Sequence, residues 1–228
     1  MWRSLLAGSS AAERGCQMNK INYQRVMEQI IRDNCTGERV PRLLLHSCCG
    51  PCSSYCIESL AEHFSLTVYY YNPNIYPQEE YFLRAQEQER FIREFPAKHP
   101  VSFAAGAYDS GRFYEMARGM EELPEGGERC FACYALRMEE AASYASAHGF
   151  DFFATTLSIS PLKNAEKLNE IGARLEKEYA PLRYLYADFK KKDGYKRSTE
   201  LSREYGMYRQ DYCGCVFSKR EREAQKKC

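Results

Sequence analysis

A chain of 228 residues with 44% hydrophobic content is long enough to bury its own core without covalent staples, and its formal charge of +1 gives no bulk attraction for phosphate backbones. Eleven cysteines, an odd number, beside abundant Lys, Glu and Tyr argue against a secreted disulfide framework and for a reducing, cytosolic compartment. The one apolar stretch near the start, Leu5-Leu6-Ala7-Gly8, is far shorter than a signal-peptide core or a membrane span, so no membrane contact is expected.

In chain order, residues 1–18 show no periodicity and read as a disordered leader, with Met18 an alternative start and Cys16 without a role; residues 19–228 read as a single α/β catalytic domain. The patterns predict a helix over 21–34, a strand over 42–46, a helix over 52–63, a strand over 66–71 and a helix over 81–95 preceded by Pro77. A short strand over 101–104 and a helix over 111–120 follow. The segment 121–129, with Pro124, Gly126 and Gly127, is a loop that delivers Cys130 to a helix running to about residue 148. A strand over 150–154, a helix over 163–178, a strand over 183–187 and a helix over 198–205 complete the pattern. Alternation of strand-length and helix-length segments predicts a mostly parallel sheet with crossover helices.

Four cysteines fall within nine residues, Cys48, Cys49, Cys52 and Cys56, where the apolar run Leu43-Leu44-Leu45 gives way to Gly50-Pro51. Successive strand residues point to opposite faces, so Cys48 and Cys49 converge on one partner only if the chain turns, and Gly50-Pro51 is read as that turn. Cys130 and Cys133 lie one helical turn apart at a helix start, beside unpaired backbone amides that favour thiolate. Two such pairs offer four soft ligands, enough for a tetrahedral zinc or an iron–sulfur cluster, and residue type alone leaves both open. Cys52 is a candidate for a second metal position. Cys56 reads as buried packing, and Cys35 and Cys228 have no nameable partner. Cys213-Gly214-Cys215 can close only a strained ring, so it can cycle between dithiol and disulfide or add ligands to the metal site.

Around these stand candidate ligand-binding residues. His46 precedes the cysteine run and can assist a thiolate or simply satisfy a backbone carbonyl. Asn72, Asn74 and Tyr76 close the second strand with amides and an aromatic, and Thr155, Thr156, Ser160 and Lys163 bring hydroxyls and a cation to a helix entrance. Tyr212 adjoins the last cysteine pair. Two basic runs, Lys190, Lys191, Lys192, Lys196, Arg197 and Lys219, Arg220, Arg222, Lys226, Lys227, read either as solvated faces or as phosphate contacts.

Five segments carry a resemblance: His46-Ser47-Cys48-Cys49-Gly50-Pro51-Cys52-Ser53; Tyr71-Asn72-Pro73-Asn74-Ile75; Arg129-Cys130-Phe131-Ala132-Cys133; Thr155-Thr156-Leu157 with Ser160-Pro161-Leu162-Lys163-Asn164; and residues 208–218 around Cys213-Gly214-Cys215. In this order, over residues 42–218, the chain resembles the cobalamin-independent epoxyqueuosine reductases of the QueH type. The resemblance implies a Rossmann-like, nucleotide-hydrolase (HUP-like) fold with a C-terminal cysteine-bearing extension. It implies reduction of epoxyqueuosine to queuosine at the tRNA wobble position, a 4Fe–4S cluster on Cys48, Cys49, Cys130 and Cys133, and a redox-active pair Cys213–Cys215. Family descriptions also include a second, mononuclear iron beside the cluster, with an acidic residue in some members at the place occupied here by Cys52, so that either this thiolate replaces the carboxylate as an iron ligand or the second metal is absent here. The partners implied are tRNA bearing epoxyqueuosine in its anticodon loop and an external electron donor.

Three other readings compete. A zinc-stabilised RNA-binding protein without catalysis uses the same cysteines to hold loops. A tRNA-modifying ATP pyrophosphatase needs a Ser-Gly-Gly-x-Asp-Ser phosphate loop after the first strand, where this chain has cysteines. A thioredoxin-like oxidoreductase needs an isolated Cys-x-x-Cys at its first-strand turn.

Overall fold

The computed structural model describes residues 21–226, so the expected leader, Cys16, Met18, Lys227 and Cys228 lie outside the described residues. Leu43-Leu44-Leu45 is apolar at consecutive positions, which suits a strand covered on both faces. It forms the middle of β1 (Arg42–Ser47), the central strand of a five-stranded sheet with β2 (Ser65–Tyr70), β3 (Val101–Ala105), β4 (Phe152–Thr155) and β5 (Arg183–Tyr184). The order is β3-β2-β1-β4-β5 and every pairing is parallel, as the alternating pattern predicts.

Helices cover both faces. Leu43, Leu45, Leu66, Val68, Phe152 and Ala154 pack with Met27 of α1 (Tyr23–Asn34), Ile57 and Leu60 of α2 (Gly50–Leu60) and Phe91 of α3 (Gln78–Glu94). Leu44, Tyr69 and Phe153 pack with Met138, Ala141 and Ala145 of α5 (Glu128–Ala147) and Leu168 and Leu175 of α6 (Ala165–Glu178). Each fully buried leucine contributes about 2 kcal/mol by leaving water. α4 (Ser110–Ala117) follows β3 and packs against α5. Cys56 is fully buried in the first cluster, as a packing residue should be.

The chain steps outward from β1 to β2 to β3 and then returns to the other side of β1 as β4. At such a switch the strand ends diverge and leave a crevice. β1 runs there into Cys48-Cys49, and β4 into a single 3₁₀ turn, Thr156–Ile159.

Several local readings are corrected. Gly50-Pro51 is no separate turn: both belong to the first turn of α2, with Cys49 as its extended N-cap at φ −170°, ψ 156°. Proline is tolerated there because first-turn N–H groups have no helical partner. β5 stops at Tyr184 rather than at residue 187, because the Asn169 side chain of α6 takes over the pairing. Its Nδ2 donates to Ala187 O at 2.9 Å and its Oδ1 accepts from Ala187 N at 3.0 Å. α7 (Gly194–Glu204) begins before the predicted 198, and α8 (Val216–Gln225) was hidden in a charged run. The C-terminal segment packs back through Phe217, whose ring lies 6.0 Å from that of Phe113 in α4. It carries Cys213 and Cys215, but the tightest cysteine group lies in the N-terminal half, at the β1–α2 junction.

Candidate functional site

The β1–α2 junction places three sulfurs together. Cys48 Sγ and Cys49 Sγ are 4.0 Å apart, and Cys52, on the first turn of α2, brings its sulfur within 4.8 Å of both. Thiol hydrogen bonds from Cys49 and Cys52, with Arg137 and Lys163 nearby, hold the Cys48 thiol well below its ordinary pKa. The same contact with Cys48 pushes Cys49 up to about 12 and raises Cys52. The lowered Cys48 thiol stands at the amino end of α2, where the helix dipole favours negative charge. Among the described residues this is the group whose spacing suits a metal ion.

Cys130 and Cys133 stand on the first turns of α5, outside that triad but tied to it. Gly126 N donates to Cys130 Sγ at 3.2 Å. Burial raises the Cys130 thiol, and pushes the Cys133 thiol up to about 11 although the Arg137 charge opposes it. Arg137, one turn beyond Cys133 and fully buried, interacts with the Cys133 sulfur and donates from Nη2 to Asn72 Oδ1 at 2.6 Å. Asn72 Nδ2 in turn donates to Ser47 O at 2.9 Å, the carbonyl just before Cys48. Arg129, also buried, donates to Met120 O at 3.1 Å, to Glu121 O at 2.7 Å and to Leu123 O, which fixes the loop that delivers Cys130.

Cys213 enters from the C-terminal segment. Lys163 Nζ lies 3.4 Å from Cys213 Sγ, Arg84 Nη1 donates to Cys213 O at 3.2 Å, and Cys213 N donates to Ser218 Oγ at 3.1 Å. The Ser218 hydroxyl in turn donates to Glu125 Oε2 at 3.0 Å. Burial alone would lower the Lys163 ammonium, but the sulfurs of Cys213 and Cys48 outweigh it and raise it. Gly214 has φ +133°, a conformation costly for any side chain, and its carbonyl accepts from Tyr76 N at 2.8 Å. Cys215 faces the other way: it is the N-cap of α8, its sulfur accepts from Ser218 N at 3.4 Å, and burial pushes its thiol up to about 12. Cys213 and Cys215 are not bonded to each other.

A cavity of about 620 Å³ opens over this arrangement, and Cys48, Cys52, Ser160, Lys163, Tyr212 and Cys213 line it. The other candidates are not among its lining residues. His46 is buried, with Nδ1 2.9 Å from Thr155 Oγ1 and Nε2 3.2 Å from Tyr71 O, and burial lowers its pKa to about 3. Thr156 is buried and its Oγ1 lacks a protein partner, as does Asn74 Oδ1. Tyr76 is exposed and accepts the Tyr212 hydroxyl on its carbonyl at 2.6 Å.

The first basic run is largely internal pairing: Lys190 with Asp188, Lys192 with Glu28, Arg197 with Glu58. In the second, Arg222 reaches the cavity rim and Lys219 lies over the rings of Tyr76 and Tyr212 at 5.7 and 6.0 Å. Sequence reasoning missed the roles of Arg84, Arg129 and Arg137. Arg137 carried a signal in its four-residue spacing from Cys133 and Arg129 in its place beside Cys130, whereas Arg84 carried none.

The model for the family described as Epoxyqueuosine reductase QueH matches residues 43–221, which span Cys48 through Cys215. The chain belongs to the QueH family. Curated QueH relatives, each named epoxyqueuosine reductase QueH, extend the match. The Staphylococcus epidermidis protein is 44% identical over 207 residues, 87% of this chain and 85% of that protein. The Streptococcus pyogenes serotype M1 protein is 44% identical over 87% of this chain and 78% of its own length. The more distant QueH of Thermotoga maritima is 33% identical over 79% of this chain and 91% of its own. No helix among the described residues is long and apolar enough to cross a membrane.

Proposed function

We propose that this chain reduces the epoxide of epoxyqueuosine at the wobble position of tRNA to the alkene of queuosine, in the cytosol, with electrons from an external donor. The observation that supports this most, beside the family, is the shared cavity: Cys48 and Cys52 of the triad, Lys163 and Cys213 face one space of about 620 Å³, a volume that suits a nucleoside.

The residues fit a sulfur-bound metal group. The donors are sulfurs, and buried Arg84 and Arg137 stand near them to balance thiolate charge, each with a guanidinium nitrogen that lacks a protein partner. In this reading Cys48, Cys49, Cys130 and Cys133 hold a 4Fe–4S cluster and Cys52 serves a second, mononuclear iron. When bound, the cluster supplies electrons singly and the second iron supplies Lewis acidity.

Opening an epoxide to an alkene takes two electrons and two protons and releases the oxygen as water. Ser160, Lys163 and Tyr212 bring hydroxyl and ammonium groups to the cavity wall, where they bind and orient the polar nucleoside. His46 is paired with Thr155, Asn72 with Ser47 and Arg137, and the Tyr76 N–H holds the Gly214 carbonyl of the 213–215 loop. Cys213 and Cys215 relay reducing equivalents. A wobble nucleoside lies in a single-stranded loop and can be splayed into the cavity without breaking a duplex, with Lys219 and Arg222 near its phosphates. The reading is tested by incubating the anaerobically purified chain and a low-potential reductant with epoxyqueuosine-containing tRNA. Nucleoside mass spectrometry should show queuosine; unchanged epoxyqueuosine at full metal content overturns it.

A further inference from the structure

The two sulfurs of the Cys213-Gly214-Cys215 loop are unequal. Cys213 is half-buried, lines the cavity, and has the Lys163 ammonium 3.4 Å from its sulfur. Cys215 is buried against Phe113, Cys133 and Phe217 and spends its sulfur on the α8 amino terminus. Lys163 is itself held in place: Lys190 Nζ donates to Ser158 O at 2.9 Å and to Lys163 O at 3.4 Å, which clamps the loop after β4. Arg84 on the Cys213 carbonyl and Tyr76 on the Gly214 carbonyl fix the backbone between the two cysteines.

We infer that Cys213 is the exchanging cysteine of the pair, reached through the cavity by an external dithiol, that Cys215 is the internal resolving cysteine because burial shields it, and that Lys163 is the positioning residue that steadies the Cys213 thiolate. The inference rests on the proposed redox role of the pair. Recharging then runs in two balanced steps. A thiolate of the external dithiol attacks Cys213 Sγ of the Cys213–Cys215 disulfide; a mixed disulfide forms at Cys213, and Cys215 leaves as thiolate and takes a proton. The second thiol of the external dithiol, deprotonated, attacks its own partner sulfur in the mixed disulfide. The external dithiol leaves as a disulfide, and Cys213 departs as a thiolate beside Lys163. Two electrons pass from the external dithiol to the pair. Access decides the first step, because burial of Cys215 closes the alternative point of attack; in the second step Lys163 meets the departing Cys213 thiolate and speeds its release.

The test runs the exchange in reverse on the anaerobically purified full chain, reduced, with 5,5′-dithiobis(2-nitrobenzoate) as oxidant and peptide-resolved mass spectrometry to separate the pair from the other cysteines. Cys215→Ser keeps an oxygen at the α8 N-cap and should trap a stable mixed disulfide on Cys213. Cys213→Ser should leave Cys215 labelled at least about tenfold more slowly. Lys163→Met should slow labelling of Cys213 by about three- to tenfold, and Lys163→Arg should restore much of the rate. Equal labelling of the two cysteines, or a rate indifferent to Lys163→Met, overturns the assignment. In the unsubstituted chain, a label that stays on Cys213 with no Cys213–Cys215 disulfide formed overturns instead the redox role of the pair.

Discussion

Arg137 Nη2 donates to Asn72 Oδ1 across 2.6 Å, and both residues are fully buried. Through that bond the helix that carries Cys133 is joined to the strand end that leads into Cys48, because Asn72 Nδ2 holds Ser47 O. Two cysteine pairs 81 residues apart in sequence, counting from Cys49 to Cys130, are therefore set relative to each other by one amide and one guanidinium.

Asn72→Ala leaves the Arg137 guanidinium and the Ser47 carbonyl without this partner in the interior. Loss of the acceptor for a buried cation is expected to cost about 3 kcal/mol, read as a lower urea midpoint with an unchanged slope. Asn72→Asp keeps the acceptor for Arg137 and loses only the donor to Ser47, so its cost should be smaller. A loss below about 1 kcal/mol for Asn72→Ala would show that the bond is idle.

The parallel sheet was legible because Leu43-Leu44-Leu45 and Phe152-Phe153-Ala154 are continuous apolar runs between amphipathic segments, and the strand ends read at residues 46 and 154 fall one residue short of those observed, Ser47 and Thr155. Elements whose ends depend on a tertiary partner were not legible. Asn169 stops β5 with a side-chain amide, and Cys215 starts α8 with a sulfur, neither of which leaves a local pattern. Within the site, the cysteines announced themselves by spacing. The grouping of Cys52 with Cys48 and Cys49 needed the knowledge that Gly50-Pro51 opens a helix, and the buried arginines look on paper like ordinary surface charges of α3 and α5.

Arg129 is the residue on which the 120–127 loop hangs. Arg129→Ala frees three carbonyls and the loop that positions Cys130, with an expected cost of about 2–4 kcal/mol and faster alkylation of Cys130. A lysine offers one ammonium where the guanidinium forks, so Arg129→Lys should recover less than half of the loss. Thermal denaturation together with iodoacetamide labelling checks both; full rescue by lysine would contradict the forked contact.

Stability should fall on mild acidification because of His46. Burial holds its ring neutral and lowers its pKa from 6.5 to about 3. Between those values the unfolded chain binds a proton that the folded chain refuses, so stability is lost as pH drops through 6.5 toward 3. At pH 5 the His46 contribution is a loss of about 2 kcal/mol relative to pH 8. Urea midpoints at the two pH values measure it, and His46→Asn should flatten the difference. An unchanged pH slope in that variant would assign the acid sensitivity elsewhere.

The proposed function requires that Cys48, Cys49, Cys130 and Cys133 hold an iron–sulfur cluster for reductive chemistry. Iron and acid-labile sulfide, with an absorption spectrum, measured on the anaerobically purified chain and on Cys130→Ala, test it most directly. A coloured protein with about four irons and four sulfides per chain, or about one iron more if Cys52 serves a second metal, is expected, with both largely lost in Cys130→Ala. A colourless chain that holds one tightly bound zinc and no sulfide would contradict the account and favour a structural, RNA-binding role for the same cysteines.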